Sequence, residues 1–290
     1  MKELVVISGK GGTGKTSITA SLAVLATRPV IADCDVDAAD LHLVLSPRIS
    51  ERHEFHSGHE AVILEDSCSG CGTCLEACRF GAVISDVDAT GRLRCTIDPF
   101  ACEGCGLCVR LCPRQAIAFP ERACGEWFVS ETRCGPMVHA RLGIAAENSG
   151  KLVSTVRREA RRIAEQEQRS TILVDGPPGI GCPVIASVTG ASLVLAVAEP
   201  SVSGEHDLER INALARHFGT PIAVCVNKWD LNPEMTERIE SRARQGGMRV
   251  VGRIRYDRAV TQAQMQERAV VETDAACAPD ILDVWRQLDL

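Results

Sequence analysis

Short apolar runs rich in β-branched residues recur along the chain, and stretches with helical periodicity separate several of them. Runs of this kind predict strands that are buried on both faces of a sheet. The predicted strands are Leu4–Ser8, Pro29–Ala32, Thr171–Val174, Leu193–Ala198 and Pro221–Val226, and the predicted helices are Lys15–Ala26, Ser149–Gln166 and Leu208–His217. This alternation implies an α/β fold, with a mostly parallel sheet that helices cover on both faces.

Residues 61–122 interrupt the alternation with short strand-like pieces, two groups of cysteines and no long helix. The segment also repeats itself, because Cys68-Ser-Gly-Cys71-Gly-Thr-Cys74 returns 34 residues later as Cys102-Glu-Gly-Cys105-Gly-Leu-Cys108. Neither flank could close a hydrophobic core alone. We therefore expect a small α+β domain at residues 61–122, inserted into a discontinuous α/β domain formed by residues 1–60 and 123–290.

Composition narrows the compartment and the class of partner. The chain has 290 residues and a net charge of −6, which argues against nucleic-acid binding. No apolar run reaches the length of about 18 residues that a membrane-spanning helix needs, and the N-terminus lacks the pattern of a signal peptide. We expect a cytoplasmic protein that does not bind membranes. Eight of its 15 cysteines fall within residues 68–112, and in a reducing compartment such cysteines more often bind metal than form disulfides.

A glycine-rich segment at residues 9–16 lies between the first predicted strand and its helix, and it fits the pattern G-x4-G-K-[ST]. In this pattern, backbone N–H groups surround phosphates at a helix N-terminus while the lysine neutralises their charge. The spacing of its glycines also fits G-x-G-x-x-G, with Asp33 about 20 positions further on, so a dinucleotide-binding fold is the alternative. The pair Lys15-Thr16 favours a triphosphate with Mg²⁺ instead.

The expected magnesium ligands are the hydroxyl of Thr16 and the carboxylate of Asp175, which follows a predicted strand. A second strand end carries Asn227-Lys228-Trp229-Asp230, which matches the N-K-x-D pattern that reads guanine in GTPases. The predicted nucleotide-binding residues are Gly9, Lys10, Gly11, Gly12, Thr13, Gly14, Lys15, Thr16, Ser17 and Asn227.

The segment from Lys10 to Ser17 resembles the deviant Walker A motif of the MinD/ParA family of P-loop ATPases, which also contains the nitrogenase iron protein. The resemblance implies that Lys10 reaches across a nucleotide-sandwiched dimer to the phosphates of the other subunit, while Lys15 acts within its own subunit. ATP would then join two subunits and hydrolysis would release them. By its position in switch I, Asp35 would orient the attacking water or the Mg²⁺ shell, which makes Lys10, Lys15 and Asp35 the expected catalytic residues. An asparagine at the place of Asn227 binds adenine in this family, so ATP is favoured and GTP stays open.

Each cysteine run continues to a fourth cysteine, Cys78 or Cys112, and matches the C-x2-C-x2-C-x3-C pattern of bacterial ferredoxins. In that pattern the fourth cysteine ligates the other cluster. Two [4Fe–4S] clusters are therefore expected, one held by Cys68, Cys71, Cys74 and Cys112 and one by Cys102, Cys105, Cys108 and Cys78. Zinc knuckles are the alternative, but zinc sites typically use two pairs of ligands with a longer gap between them.

The combined features resemble MinD-superfamily ATPases that carry an inserted ferredoxin domain. Cys182 stands where the nitrogenase iron protein has a cluster ligand, and an interface cluster with Cys134 as co-ligand is a further possibility. Three functions follow: an ATPase whose nucleotide-dependent dimerisation gates electron transfer to a partner, an ATP-dependent assembly or maturation factor for metal clusters, and, as the weakest, a positioning ATPase with redox-sensing clusters. The expected partners are a second copy in the ATP-bound state or a related ATPase, and a redox or client protein.

Overall fold

The computed structural model describes residues 1–143 and 148–289. Its strands are, in chain order, β1 (Lys2–Ser8), β2 (Val30–Asp33), β3 (Arg48–His59), β4 (Val62–Ile63), β5 (Val83–Val87), β6 (Leu93–Ile97), β7 (Ile117–Ala118), β8 (Glu121–Thr132), β9 (Gly135–Leu142), β10 (Thr171–Pro178), β11 (Leu193–Ala198), β12 (Ile222–Asn227) and β13 (Arg249–Ile254). Its helices are α1 (Lys15–Leu25), α2 (Leu41–Leu45), α3 (Thr73–Ala77), α4 (Leu107–Leu111), α5 (Ser149–Gln166), α6 (Cys182–Val188), α7 (Val202–His217), α8 (Pro233–Gln245), α9 (Ala259–Met265) and α10 (Ala278–Leu288).

The described residues divide into two compact units. The first contains residues 1–53, 126–142 and 148–289, and the second contains residues 54–125 together with Gly143. The largest sheet has nine strands in the order β13-β12-β11-β1-β10-β2-β9-β8-β3. The pairs from β13 through β9 are parallel, so the expectation of an α/β fold with a large, mostly parallel sheet is confirmed.

Alternation along β1 explains why helices cover both faces of this sheet. Leu4 and Val6 belong to a hydrophobic cluster formed with α1, α2 and α10. Val5 and Ile7 point to the opposite face and are equally buried. On that face α5 packs against β2, β9 and α6, and α7 packs against β11. Burial on both faces is the reason that these strands read as continuous apolar runs.

The second unit contains two small antiparallel sheets, β4 with β7 and β5 with β6. Its short helices α3 and α4 pack together. Each begins after a glycine in the left-handed region, Gly72 with φ 75° and Gly106 with φ 70°. A residue with a Cβ adopts this conformation only at a cost, so the glycines between the cysteines fix where both helices start.

Within residues 1–143 and 148–289, no helix is both long enough and apolar enough to cross a membrane.

Candidate nucleotide and cysteine sites

The glycine-rich loop joins β1 to α1 and borders a cleft of about 490 Å³ in the first unit. Ligand pockets commonly have volumes of about 300–1,000 Å³. The predicted residues from Gly11 to Ser17 line this cleft together with Asp35 and Asn227. The loop can turn tightly here because Gly12 and Gly14 have φ values of 80° and 87°.

Asn227, at the end of β12, braces the loop from the side. Its Nδ2 donates to the carbonyl of Thr13 at 2.7 Å, and its Oδ1 accepts from the backbone N–H of Lys228 at 3.0 Å. A Cβ on Gly14 would overlap the Asn227 amide. The loop and the strand end therefore fit together only while this glycine is retained.

Lys15 lies buried at the centre of a cluster of carboxylates. Its Nζ is 2.9 Å from Oδ1 of Asp175 and 3.3 Å from Oδ2 of Asp35. Burial alone would lower the pKa of Lys15, but the charges of Asp175 and Asp35 outweigh it and raise that pKa. The lysine therefore stays a cation, as the neutralisation of phosphate charge requires.

Asp175 is fully buried within β10, behind the loop. Thr16 Oγ1 donates to its Oδ2 at 2.9 Å, and Thr19 Oγ1 donates to its Oδ1 at 2.8 Å. The expected magnesium ligands Thr16 and Asp175 thus lie in direct contact. A hydroxyl and a carboxylate are oxygen ligands suited to Mg²⁺.

Asp33 lies in register with Asp175 on the neighbouring strand β2, and it is also fully buried. Its Oδ1 accepts from the N–H of Asp35 at 3.2 Å, whereas its Oδ2 has no hydrogen-bond partner among the described residues. Burial, reinforced by the charge of Asp175, raises the pKa of Asp33 well above its ordinary value. Burial also raises the pKa of Asp35, although the nearby Lys15 opposes that shift.

Gly9 and Lys10 lie on the opposite side of the loop, beside α7. Lys10 Nζ is 3.1 Å from Oε2 of Glu199, and its side chain is 42% exposed. Lys228 Nζ contacts the other oxygen of Glu199 at 2.5 Å and donates to the carbonyl of Gly12 at 2.9 Å. Glu199 therefore holds two lysines against the loop, and one of them, Lys10, is accessible from outside.

Sequence reasoning missed several residues of this site. Thr19 escaped notice although it is a polar residue three positions after Thr16 on the same helix. Gln264 of α9 donates to Ser17 Oγ at 2.9 Å, and Tyr256 lines the cleft after β13. Asp230, the last residue of the N-K-x-D pattern, accepts from the N–H of Tyr256 at 2.7 Å. Only the register of distant strands brings these residues together.

In the second unit, four predicted cluster ligands line one small apolar cavity, and a fifth cysteine joins them. The cysteines are Cys68, Cys71, Cys74, Cys95 and Cys112. Ala116 donates its N–H to Cys112 Sγ at 3.3 Å. Cys71 Sγ lies 3.4 Å from Thr73 Oγ1, and this hydrogen bond lowers the pKa of the Cys71 thiol.

The other predicted ligand set is less completely defined. Burial raises the pKa of Cys108, and the nearby charges of Cys102 and Cys105 add to the shift, so these three thiols are neighbours. Burial alone would raise the pKa of Cys78, but hydrogen bonds from the backbone N–H groups of residues 80–83 lower it. In the part of the chain that the structure describes, no three His, Cys, Asp or Glu side chains are grouped so that they could hold a single metal ion.

Cys182 and Cys134, considered above for an interface cluster, lie in different settings of the first unit. Cys182 is exposed at the start of α6. Cys134 is half-buried and packs against the hydrophobic cluster that contains α1 and α10. Burial raises the pKa of the Cys134 thiol.

Comparison with known proteins gives consistent results for most of the chain. The sequence profile of the CobQ/CobB/MinD/ParA nucleotide binding domain matches residues 4–270. An uncharacterized protein of Methanocaldococcus jannaschii is 33% identical over 234 residues, covering 79% of each chain. A second uncharacterized protein of that organism is 22% identical over 264 residues, covering 80% of this chain and 83% of its own.

Solved structures share the fold at low sequence identity. The cell division ATPase MinD of Pyrococcus furiosus superposes with a TM-score of 0.60 at 16% identity, over 99% of this chain and 98% of its own. The septum site-determining protein MinD of Pyrococcus horikoshii, complexed with Mg-ADP, gives a TM-score of 0.60 at 17% identity, over 99% and 96%. The MinC:MinD complex of Aquifex aeolicus gives 0.57 at 18% identity, over 100% and 96%.

Proposed function

The chain belongs to the CobQ/CobB/MinD/ParA nucleotide-binding family, and we propose that it is an ATPase whose nucleotide-dependent dimerisation gates electron transfer from two [4Fe–4S] clusters to a partner. The observation that carries the proposal is that one chain combines two sites. A phosphate-binding loop contains the buried Lys15 beside Asp175, and a separate unit contains a cavity lined by the four cysteines of a ferredoxin pattern.

The nucleotide part rests on the charges around the loop. Lys15 is a buried cation at the N-terminus of α1, where phosphate oxygens would meet both its charge and the helix dipole. Thr16 and Asp175 would hold Mg²⁺, which would stabilise charge on the phosphates. Asp230 already accepts from Tyr256 N–H, so it is not free to bind guanine with both oxygens. This supports ATP over GTP.

The dimeric part rests on Lys10. Its side chain is accessible and already lies between the loop and Glu199. A triphosphate from a second copy would offer this ammonium several oxygens in place of one carboxylate, so docking of two copies would complete each site. Asp35 lines the same cleft as the phosphate loop and would orient the attacking water.

The cluster part rests on the fit of the thiols. A [4Fe–4S] cluster takes four cysteine thiolates, and hydrogen bonds to its sulfurs tune its potential. The cavity of the second unit offers four such cysteines, and the Ala116 N–H already donates to Cys112. A cluster of four irons separates its ligands more widely than a single ion does, in keeping with thiols that surround a cavity instead of meeting at one point. When bound, the clusters would supply one-electron transfer.

The experiment uses anaerobic, reconstituted protein with Lys10→Ala and Lys15→Ala variants. Wild-type protein is expected to bind about eight irons per chain and to form dimers with Mg-ATP in sedimentation. Lys15→Ala should lose ATP binding, because no other cation replaces its charge. Lys10→Ala should bind ATP yet fail to dimerise or hydrolyse it. Normal turnover by Lys10→Ala would refute the role across the dimer, and four or fewer irons in wild-type protein would refute two clusters.

A cluster assembly or maturation factor is the second candidate, and the exposure of Cys71 and Cys105 favours it. Exposed ligands allow a cluster to be handed to another protein. Mixing the loaded chain with an iron-free ferredoxin separates the two functions. An electron carrier would keep its iron through repeated reduction and oxidation, whereas an assembly factor would lose it to the acceptor in the presence of ATP. A positioning ATPase, suggested by the fold alone, would behave the same with and without its iron.

A further inference from the structure

The cavity of the second unit contains one cysteine more than a cluster needs. A [4Fe–4S] cluster takes four thiolates, and the ferredoxin pattern supplies them as Cys68, Cys71, Cys74 and Cys112. Cys95 lies outside that pattern, yet it lines the same cavity. Its side chain is only 4% exposed and hydrogen-bonds to the thiol of Cys74. The extra thiol therefore faces the position that the cluster would occupy.

Strand β6 presents Cys95, and several contacts fix this strand against the first cysteine loop. Arg92, just before β6, donates to the carbonyl of Cys68. The carbonyl of Leu93 approaches Gly70 so closely that a Cβ there would overlap it. Arg94 Nη2 contacts Glu65 Oε2 at 3.0 Å. The position of Cys95 is thus set by a rigid strand and not by a flexible loop.

The internal repeat supplies a natural comparison. The carbonyl of His59 approaches Gly104 in the same way that Leu93 approaches Gly70, and both pairs are related by 34 residues. Two residues after Leu93 stands Cys95, and two residues after His59 stands Ala61, which is 2% exposed.

A second contact confirms this equivalence. The N–H of Asp98 bonds to Ala82 in one half, and the N–H of Leu64 bonds to Ala116 in the other, again 34 residues apart. Cys95 and Ala61 each stand three residues before those N–H groups. The first half of the repeat therefore has a thiol where the second half has a methyl group.

We propose that Cys95 is a reserve ligand, which binds the first cluster when Cys74 is lost. This rests on the cluster binding proposed above. In the exchange, an iron–sulfur bond forms to Cys95 Sγ in place of the bond to Cys74 Sγ, and Cys95 gives up its thiol proton to solvent. No electron is gained or lost. The replacement is specific to Cys74, because that is the thiol in contact with Cys95.

The test measures iron and sulfide per chain, and the electron paramagnetic resonance of the reduced clusters, in anaerobically reconstituted variants. Cys74→Ala should keep about eight irons, with an altered signal from one cluster. The double variant Cys74→Ala/Cys95→Ala should fall to about four. Cys112→Ala is the matched control, since its thiol has no such neighbour in the described contacts, and it should also fall to about four. Cys95→Ala alone should keep both clusters.

The repeat allows the reverse experiment in the other half. Cys108 is the equivalent of Cys74, so Cys108→Ala should lose one cluster, and adding Ala61→Cys should restore it. Fewer than about six irons in Cys74→Ala, or equal iron in Cys74→Ala and its double variant, would overturn the proposal. Absence of iron from the wild-type chain would instead refute cluster binding itself. Because the Ala61→Cys test adds a ligand, it decides the question even if Cys74→Ala fails to fold.

Discussion

At the scale of single residues, two buried carboxylates in neighbouring strands have opposite surroundings. Asp175 is satisfied by Lys15, Thr16 and Thr19. Asp33 accepts one backbone N–H and has an oxygen without a partner among the described residues. A buried carboxylate is tolerated where it is paired and is costly where it is not. The same chemical group therefore has two different effects on stability.

Replacement of each carboxylate by its amide should reveal the difference. Asp175→Asn leaves the buried Lys15 without its nearest charge partner and should lower the free energy of unfolding by about 3 kcal/mol. Asp33→Asn keeps an acceptor for the Asp35 N–H and removes an unpaired charge, so the nucleotide-free protein should be at least as stable as wild type. Urea unfolding without nucleotide or Mg²⁺ measures both. Equal losses in the two variants would contradict this account.

Sequence reasoning at this scale succeeded where a motif fixes the chemistry. It brought together Lys15, Thr16 and Asp175, which the structure places in contact. It could not find Cys95 as a fifth cysteine of the cavity, because only the pairing of β5 with β6 fixes where this side chain points. It also could not find Glu199, whose contact with Lys10 depends on the packing of separate segments.

At the scale of elements, the apolar runs predicted the buried parallel strands and missed the others. The prediction Leu193–Ala198 coincides with β11, and Leu4–Ser8 lies within β1. Strand β3 was missed because most of its residues are polar and exposed. Strand β13 was missed because arginine and glycine interrupt its short apolar run. Hydrophobic pattern identifies a strand only when burial on both faces dictates its composition.

The joint between the phosphate loop and β12 can be tested with one glycine. Gly14→Ala requires φ of 87° from a residue with a Cβ and overlaps the Asn227 amide. It should cost about 1–3 kcal/mol of stability and weaken ATP binding. Gly11→Ala is the control, because Gly11 has nothing within 4 Å of a Cβ. Thermal unfolding and nucleotide titration measure both effects. Comparable behaviour of the two variants would rule out the joint.

At the scale of the whole molecule, the nucleotide site lies in one compact unit and the cavity cysteines lie in the other. The sequence predicted the class of fold from its strand and helix pattern. Its proposal of an inserted domain rested on the cysteine repeat, which the larger sheet does not need. Strand order could not be predicted, because nothing in the local sequence places β10 between β1 and β2.

Loss of one site should therefore leave the other intact. Lys15→Ala, which removes the central cation of the loop, should still bind about eight irons. Cys112→Ala, which removes a cavity thiol, should still bind ATP with unchanged affinity in a filter or calorimetric assay. Loss of iron in Lys15→Ala, in folded protein, would show that the clusters depend on the nucleotide site.

The single difference between Cys95 and Ala61 makes the two halves of the duplication unequal in their tolerance of damage. A peroxide that oxidised Cys108 would leave its half of the repeat with three ligands and no substitute, whereas the same injury to Cys74 could be absorbed. Repeated oxidative stress should then produce a chain that has lost one particular cluster first. Ageing of the protein would follow a fixed order written into one alanine.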